Sequence, residues 1–468
     1  MLGDLRRLLT RALEHSVTYR ASLGTGIARP SLDYHAAREL FRAPLPESGM
    51  DPAEVLEELV RLGTPGLMPT TGPRFFGWVM GGSHPAGVAA DWLVSAWGQN
   101  AGYQATAPTA AAIEEVAETW LLDILDLPRA SAIGFTTGAT VANVTCLAAA
   151  RTHVLSQAGW DPDADGLFGA PPVHVLVGEG AHSSVFSALQ LIGFGHQRVV
   201  TVPMDGEGRM IAPALAGALD GLNGPKIVIA QAGQINTGAF DPFTEIVDVA
   251  RQAGAWVHVD GAFGLWARAT NTHKQLTKDI ERCDSWVTDG HKWLQVPYDC
   301  GFAIVKNRET LLRAMTQWSS YLPTIHEGDR VPSNLVPELS RRARGIPVYA
   351  LLKTLGRSGI AEIVEKHCRL AIRLSELLGQ EPGISVLNKV ALNQLIISFG
   401  QGDALDRKKA TEAVIAEVLE GGVLFAAGAQ WRDDWVMRLS ITSGATGEAD
   451  IDMAAEAIVR SWRAVQGA

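Results

Sequence analysis

Two short stretches hold the residues best suited to chemistry. In TDGHKWL, residues 288–294, His291 and Lys292 follow an apolar, strand-like run at 285–287, with a glycine just before the pair. A lysine on a tight turn after a buried strand reads in two ways. It is a solvated surface cation, or it is a Schiff-base lysine made nucleophilic by partial desolvation and a neighbouring charge. In AWVHVDGAFGLWA, residues 255–267, Asp260 ends an almost wholly apolar run and is followed by Gly261 and Ala262. A carboxylate there is costly unless paired or hydrogen-bonded. It is a cap or internal ion-pair partner, or else the counter-ion of a cationic ring nitrogen, with small neighbours that let a planar ring lie against the backbone.

Three further stretches add parts. GFTTGATVANVTCLAAAR, 134–151, runs from a small-residue turn at 136–140 directly into a helix. Free N–H groups at a helix start, with threonine hydroxyls beside them, favour an anion; a helix N-cap explains Thr140 equally well. The stretch is neither a P-loop nor a GxGxxG motif. EGAHSSV, 179–185, sets His182 between a strand and a helix, as a hydrogen-bonded structural residue or as a ring that stacks on a flat heterocycle. AQAGQINTGAFDP, 230–242, has turn composition at Asn236-Thr237-Gly238 and brings an amide and a hydroxyl after an apolar strand.

The elements that must position these residues alternate. Strands are expected at 173–177, 199–202, 227–230, 256–259, 286–288 and 301–305, and helices at 110–125, 141–155, 184–192 and 245–253. That alternation predicts a mostly parallel sheet with helices on both faces, and ligands beyond the carboxyl ends of its strands. Residues 1–70 read as helical pieces with leucines at positions 5, 8, 9 and 13. They are too short and broken to own a core, and so are expected to pack on something else, such as a second subunit. Residues 71–310 form the large domain and 311–340 an active-site loop, within an aperiodic, proline-bearing run from 307. Residues 341–468 form a smaller α+β domain with helices at 346–355, 359–378, 410–420 and 448–465 and strands at 394–398 and 436–441.

Composition bounds the rest. The chain has 468 residues, 47% hydrophobic and 19% charged, with a formal net charge of −10, which is globular and argues against nucleic-acid or anionic-membrane partners. Cys146, Cys283, Cys300 and Cys368 have neither CxxC nor Cys/His metal spacing, so neither a metal site nor a disulfide framework is expected. A cytoplasmic protein fits best. The N-terminus interleaves charges with leucine, unlike a signal peptide, and no apolar run is long enough to span a membrane.

Taken together, an anion cradle, a stacking ring, an amide, an acid for a pyridinium and a lysine for an imine are the parts that pyridoxal phosphate needs. The chain resembles the group II pyridoxal-phosphate-dependent amino acid decarboxylases, relatives of the glutamate and aromatic-amino-acid decarboxylases. The resemblance runs from about Arg74 to Ile451 through PRFFGW, TTGAT, AHSSV, NTGAFDP, HVDGAFG, DSWVTDGHKW and ELSRRARGIPVYALLKTLG. It implies an α/β fold of the aspartate-aminotransferase type (fold type I) and a homodimer acting on a small-molecule amino acid. It further implies that Lys292 forms the Schiff base and Asp260 meets the pyridine nitrogen. Ala262 and His182 would take the two ring faces, and Ala139, Thr140, Ser285 and His291 the phosphate, with Asn236 near the ring hydroxyl. Lys292, His182 and Asp260 would be catalytic.

The substrate side is less legible. Phe75, Phe76, Trp78 and Tyr103 read as core or as an aromatic, apolar pocket wall, and Arg438 as a partner for a substrate carboxylate or for an internal acid. Many family members carry a loop tyrosine before the paired arginines; GDRVPSNLVPELSRR before Arg341 and Arg342 has none. The loop's tyrosine is Tyr321, with His326 after it. The primary expectation is decarboxylation of an L-amino acid to the amine. The alternative keeps the cofactor and changes the outcome to an aldehyde, carbon–carbon cleavage or transamination.

Overall fold

Short apolar runs build the larger sheet because each strand is covered on both faces. Its strands are β1 (Ala132–Thr136), β2 (His174–Gly178), β3 (Val200–Val202), β4 (Lys226–Gln231), β5 (Trp256–Asp260), β6 (Ser285–Asp289) and β7 (Gly301–Val305). The computed structural model describes residues 2–316 and 329–467. The strand order is β1-β7-β6-β5-β4-β2-β3. The pairs β2–β3, β2–β4, β4–β5 and β5–β6 are parallel; β7 is antiparallel to both β6 and β1. Because β1 and β6 are each antiparallel to β7, the carboxyl ends of β1, β2, β4, β5 and β6 lie along one edge, and β7 begins there.

The helices are α1 (Leu2–Ser22), α2 (Tyr34–Phe41), α3 (Pro52–Gly63), α4 (Pro85–Trp97), α5 (Pro108–Ile124), α6 (Ala139–Gln157), α7 (Pro162–Asp165), α8 (Ser183–Leu191), α9 (Ala212–Leu219), α10 (Phe243–Gln252), α11 (Arg308–Met315), α12 (Gly345–Gly379), α13 (Ala404–Gly421) and α14 (Glu448–Gly467). Strand alternation sorts the core into two layers. Val228, Ala230, Phe302 and Ile304 join side chains of α5, α9 and α10 on one face. Ile227, Ile229, Ala303 and Val305 join α6, α8 and α11 on the other.

The chain forms two compact units. One comprises Val79–Ile372 and Asn388–Leu395 and contains the larger sheet; the other comprises Met1–Trp78, Arg373–Leu387 and Ile396–Ala468. In the second unit, β8 (Ile384–Val386), β9 (Gln394–Phe399), β10 (Ala427–Trp431) and β11 (Asp434–Ser440) form a sheet of order β10-β11-β9-β8. Here Arg74 ties the N-terminal segment to C-terminal residues. Its guanidinium pairs with Asp450 at 2.8 Å and donates to the Val423 and Gly24 carbonyls. Phe75 stacks on Phe425 with centroids 4.7 Å apart.

Several expectations shift at element level. The run from 307 begins as a helix, α11, capped by the Asn307 side chain on the Thr310 N–H at 2.9 Å. The helices expected at 346–355 and 359–378 lie within α12 as two helical segments, parted by a kink at Gly356, whose φ of 62° and ψ of −179° are not helical. Strand β1, unread in the sequence, precedes the cradle turn.

Candidate active site

The larger unit holds a cavity of about 370 Å³ at the carboxyl edge of its sheet. Each strand end contributes. Residues 137–141 follow β1, His182 and Ser184 follow β2, Gln231, Gly233 and Ile235 come from the end of β4, Asp260, Ala262 and Phe263 from β5, and Asp289, His291 and Lys292 from β6. Tyr298, shortly before the antiparallel β7, completes the lining. Of the residues expected at the site, Lys292, His182, Asp260, Ala262, Ala139, Thr140 and His291 therefore line one cavity.

Lys292 is held by its neighbours on the turn. Trp293 is buried and donates its indole N–H to His367 Nδ1 at 2.9 Å. Gly81 packs so closely that a Cβ would stand 1.8 Å from the Lys292 carbonyl oxygen, so only glycine fits there. The lysine amine points to Asp289, with Nζ 2.9 Å from Oδ2. The other carboxylate oxygen of Asp289 accepts the Ala139 N–H at 2.7 Å. Helix α6 has no side-chain cap from its own N-cap, Gly138, and Asp289 supplies one from across the sheet edge. His291 accepts the Cys300 N–H on Nδ1 at 3.1 Å, which leaves its Nε2 as the donor, 3.6 Å from Asp289 Oδ2. Burial lowers the His291 pKa from the ordinary value, with Asp289 opposing the shift.

Asp260 is buried, and among the described residues its carboxylate accepts one hydrogen bond, from the Ala262 N–H at 3.2 Å, and has no ion pair. Burial pushes its carboxyl above the usual carboxylate range, against the pull of His182 and Lys292. His182 caps α8 by accepting the Ser184 N–H on Nδ1 at 3.2 Å, with the Ser184 hydroxyl 2.8 Å from the same nitrogen.

Two expected cofactor residues lie elsewhere. Ser285 is fully buried at the opposite end of β6 from Asp289. Its hydroxyl accepts the Trp256 indole N–H at 2.9 Å and lies 2.8 Å from His258 Nδ1, so it is a core group and not a phosphate ligand in this cavity. Asn236 is buried with its N–H on Gln234 Oε1 at 2.6 Å and is not among the lining residues. Tyr103, also expected on the substrate side, is buried outside the cavity lining. Phe76 and Trp78 belong to the other unit, where Phe76 is buried and Trp78 is half-exposed with its ring 5.3 Å from Phe425. Arg438 is buried on β11 in that unit, and burial lowers its pKa to about 10. Tyr321 and His326 lie outside the described residues.

Sequence reading passed over Asp289 and Tyr298. Asp289 carries the same signal as Asp260, a carboxylate closing a buried strand. Tyr298 stacks on His291 with centroids 4.4 Å apart. Burial pushes its phenol up to about 12, so it keeps its proton at neutral pH. Nothing in the sequence says that β7 runs antiparallel, and that direction is what brings Tyr298 to this edge.

The residues present fit pyridoxal phosphate. The buried Asp260 carboxyl, with no ion pair among the described residues, lines the cavity, where a protonated ring nitrogen would complete it. The cradle turn is kept open by Gly138, where a Cβ would stand 3.0 Å from His291 Cε1. A lysine amine stands in the same cavity.

A family model described as the pyridoxal-dependent decarboxylase conserved domain matches residues 35–399. Aromatic-L-amino-acid decarboxylase of Bacillus atrophaeus is 26% identical over 93% of this chain and 91% of its own length. L-2,4-diaminobutyrate decarboxylase of Rhizobium meliloti is 29% identical over 76% of this chain and 71% of its own. Among solved structures, Oryza sativa TDC with PLP and tryptamine has the same fold, with a TM-score of 0.93 at 22% identity over 99% of this chain and 98% of that one. The chain thus belongs to the pyridoxal-dependent decarboxylase family and is a pyridoxal-phosphate-dependent carboxy-lyase of amino acids.

Proposed function

We propose that the substrate is an aromatic or apolar L-amino acid, released as the amine and CO2. The observation that carries this reading is the meeting of Lys292, Asp260 and His182 in one cavity that Phe263, Ile235 and Tyr298 also line. The Bacillus atrophaeus relative, named for aromatic amino acids, supports it. When bound, pyridoxal phosphate supplies an electron sink for the pair left on the α-carbon as CO2 departs.

The chain's own groups do the rest. Lys292 would hold the cofactor through its side-chain amine. Asp260 keeps the ring nitrogen protonated, and a fixed buried charge acts there without reorganisation. His182 and Ala262 would hold the ring, while Thr140, His291 and the start of α6 would hold the phosphate. Lys292 or His182 returns a proton to the α-carbon. The Tyr298 hydroxyl, with no partner among the described residues, meets a polar atom of the substrate side chain.

The protein acts as a homodimer in the cytoplasm. No residue of α1 is buried, and Leu5, Leu9, Leu13 and Val17 recur every fourth residue as an exposed apolar stripe. The helix is fastened to α3 by Arg7–Asp51 at 3.1 Å and Arg11–Glu57 at 2.5 Å. A stripe so placed serves residues 1–70 as a clasp for a second copy. Four free, buried cysteines suit a reducing compartment.

CO2 release and product identity across a panel of L-amino acids test the substrate reading. Aromatic or apolar substrates are expected to be turned over to amines at the highest kcat/KM. Preference for a charged side chain, or aldehyde as the product, would contradict it.

A further inference from the structure

Asp289 has no role in the reading above, yet its carboxylate meets three groups of the cavity wall. It is 1% exposed. One oxygen accepts the Ala139 N–H that opens α6, and the other is 2.9 Å from Lys292 Nζ and 3.6 Å from His291 Nε2. The indole N–H of Trp266 donates to its backbone carbonyl at 3.1 Å, which fixes the residue at the strand end. Its carboxylate therefore already occupies a helix N-terminus and faces an imidazole, the donors that a phosphate needs. A phosphate monoester carries close to two negative charges at neutral pH, and like charges in a low-dielectric cleft repel strongly.

We propose that Asp289 is a resident anion that competes with the phosphate of pyridoxal phosphate for this cradle and so keeps cofactor affinity low. The inference rests on the site reading given above and adds a regulation to it. In the cofactor-free protein the carboxylate caps α6 and holds the Lys292 amine, so the site is preformed. The cofactor must displace those bonds or share them, at the cost of charge repulsion. Occupancy of the enzyme then follows the free cofactor concentration instead of remaining saturated. A structural cap alone would not predict this, since asparagine caps a helix as well as aspartate.

The test is an absorbance titration of the cofactor-free protein with pyridoxal phosphate and, separately, with pyridoxal, which lacks the phosphate. Asp289→Asn is expected to bind pyridoxal phosphate at least tenfold more tightly than wild type, with pyridoxal affinity changed less than threefold. Asp289→Glu, which keeps the charge, gains nothing. Should Asp289→Asn not fold, as judged by circular dichroism, Asp289→Ser removes the charge and is held to the same comparison. Unchanged or weaker pyridoxal phosphate binding by the uncharged variant overturns the inference while leaving the site reading intact. Wild-type protein that takes up no pyridoxal phosphate at all overturns both.

Discussion

Strands β5 and β6 carry buried polar groups in two places, and the two differ in what those groups have left to bind. Within the strands, His258 engages both ring nitrogens, with Ser285 Oγ at 2.8 Å and Asn143 Oδ1 at 2.8 Å. Ser285 in turn accepts the Trp256 indole N–H. At the carboxyl ends, the Asp260 carboxylate has one hydrogen bond and no ion pair among the described residues, and Lys292 lines the cavity beside Asp289. Polar groups that satisfy one another specify the packing of a core. Polar groups with bonding capacity unspent, aimed into a cavity, are where a ligand completes the structure. Burial alone does not separate the two, since all of these groups except Lys292 are buried.

Substitutions at the two places should split activity from stability. At the carboxyl edge, Asp260→Asn removes the charge facing the ring nitrogen. It is expected to lower kcat by about two to three orders of magnitude with little loss of thermal stability. A kcat within tenfold of wild type would erase the proposed distinction. Within the strands, His258→Gln is expected to leave kcat within about threefold and to cost roughly 1–3 kcal/mol of stability, as a buried network loses a member.

His258 also carries a pH signature. Burial lowers its pKa from 6.5 to about 3, so the folded chain holds it neutral while the unfolded chain takes up a proton. Its contribution to stability is present above about pH 6.5 and is lost as the pH falls toward 3, at up to about 1.4 kcal/mol per unit. Asp241, pushed up to about 6 by burial, acts in the opposite sense between 3.8 and 6. The difference between wild-type and His258→Gln melts across this range isolates the histidine. Parallel curves would show that the ring titrates normally.

The smallest expected effect is at Tyr298, where the bonding capacity left over is a single hydroxyl. Tyr298→Phe should raise KM by up to about tenfold, the worth of one hydrogen bond, with kcat nearly unchanged. A selective fall in kcat would instead place the phenol in proton transfer.

The same comparison explains what could be read from the sequence. The alternation of strands and helices is a backbone-period signal, and it located the parallel sheet and the edge that holds the cavity. Lys292, Asp260 and His182 were legible because each sits within a few residues of an expected strand's carboxyl end, where direction follows from βαβ alternation; the family resemblance supplied the phosphate roles of Ala139, Thr140 and His291. Ser285 was misplaced by one strand length. Its neighbours in sequence face the same apolar strand as Asp289, and register decides which end reaches the ligand. Asn236 is buried in its own loop, where Gln234 accepts its backbone N–H. Tyr298 and the strand β1 depend on antiparallel pairing with β7, which no local pattern announces. The two segments of α12 were legible because glycine signals a break, and the chain kinks at Gly356.

The account stands on Lys292 carrying the cofactor. Reduction of the pyridoxal phosphate-loaded protein with borohydride, followed by peptide mapping, fixes the cofactor on the amine that holds it. The account predicts one modified residue, Lys292, with no modification and no CO2 release in Lys292→Ala. A stable adduct on another lysine, or decarboxylation that survives the substitution, would contradict it.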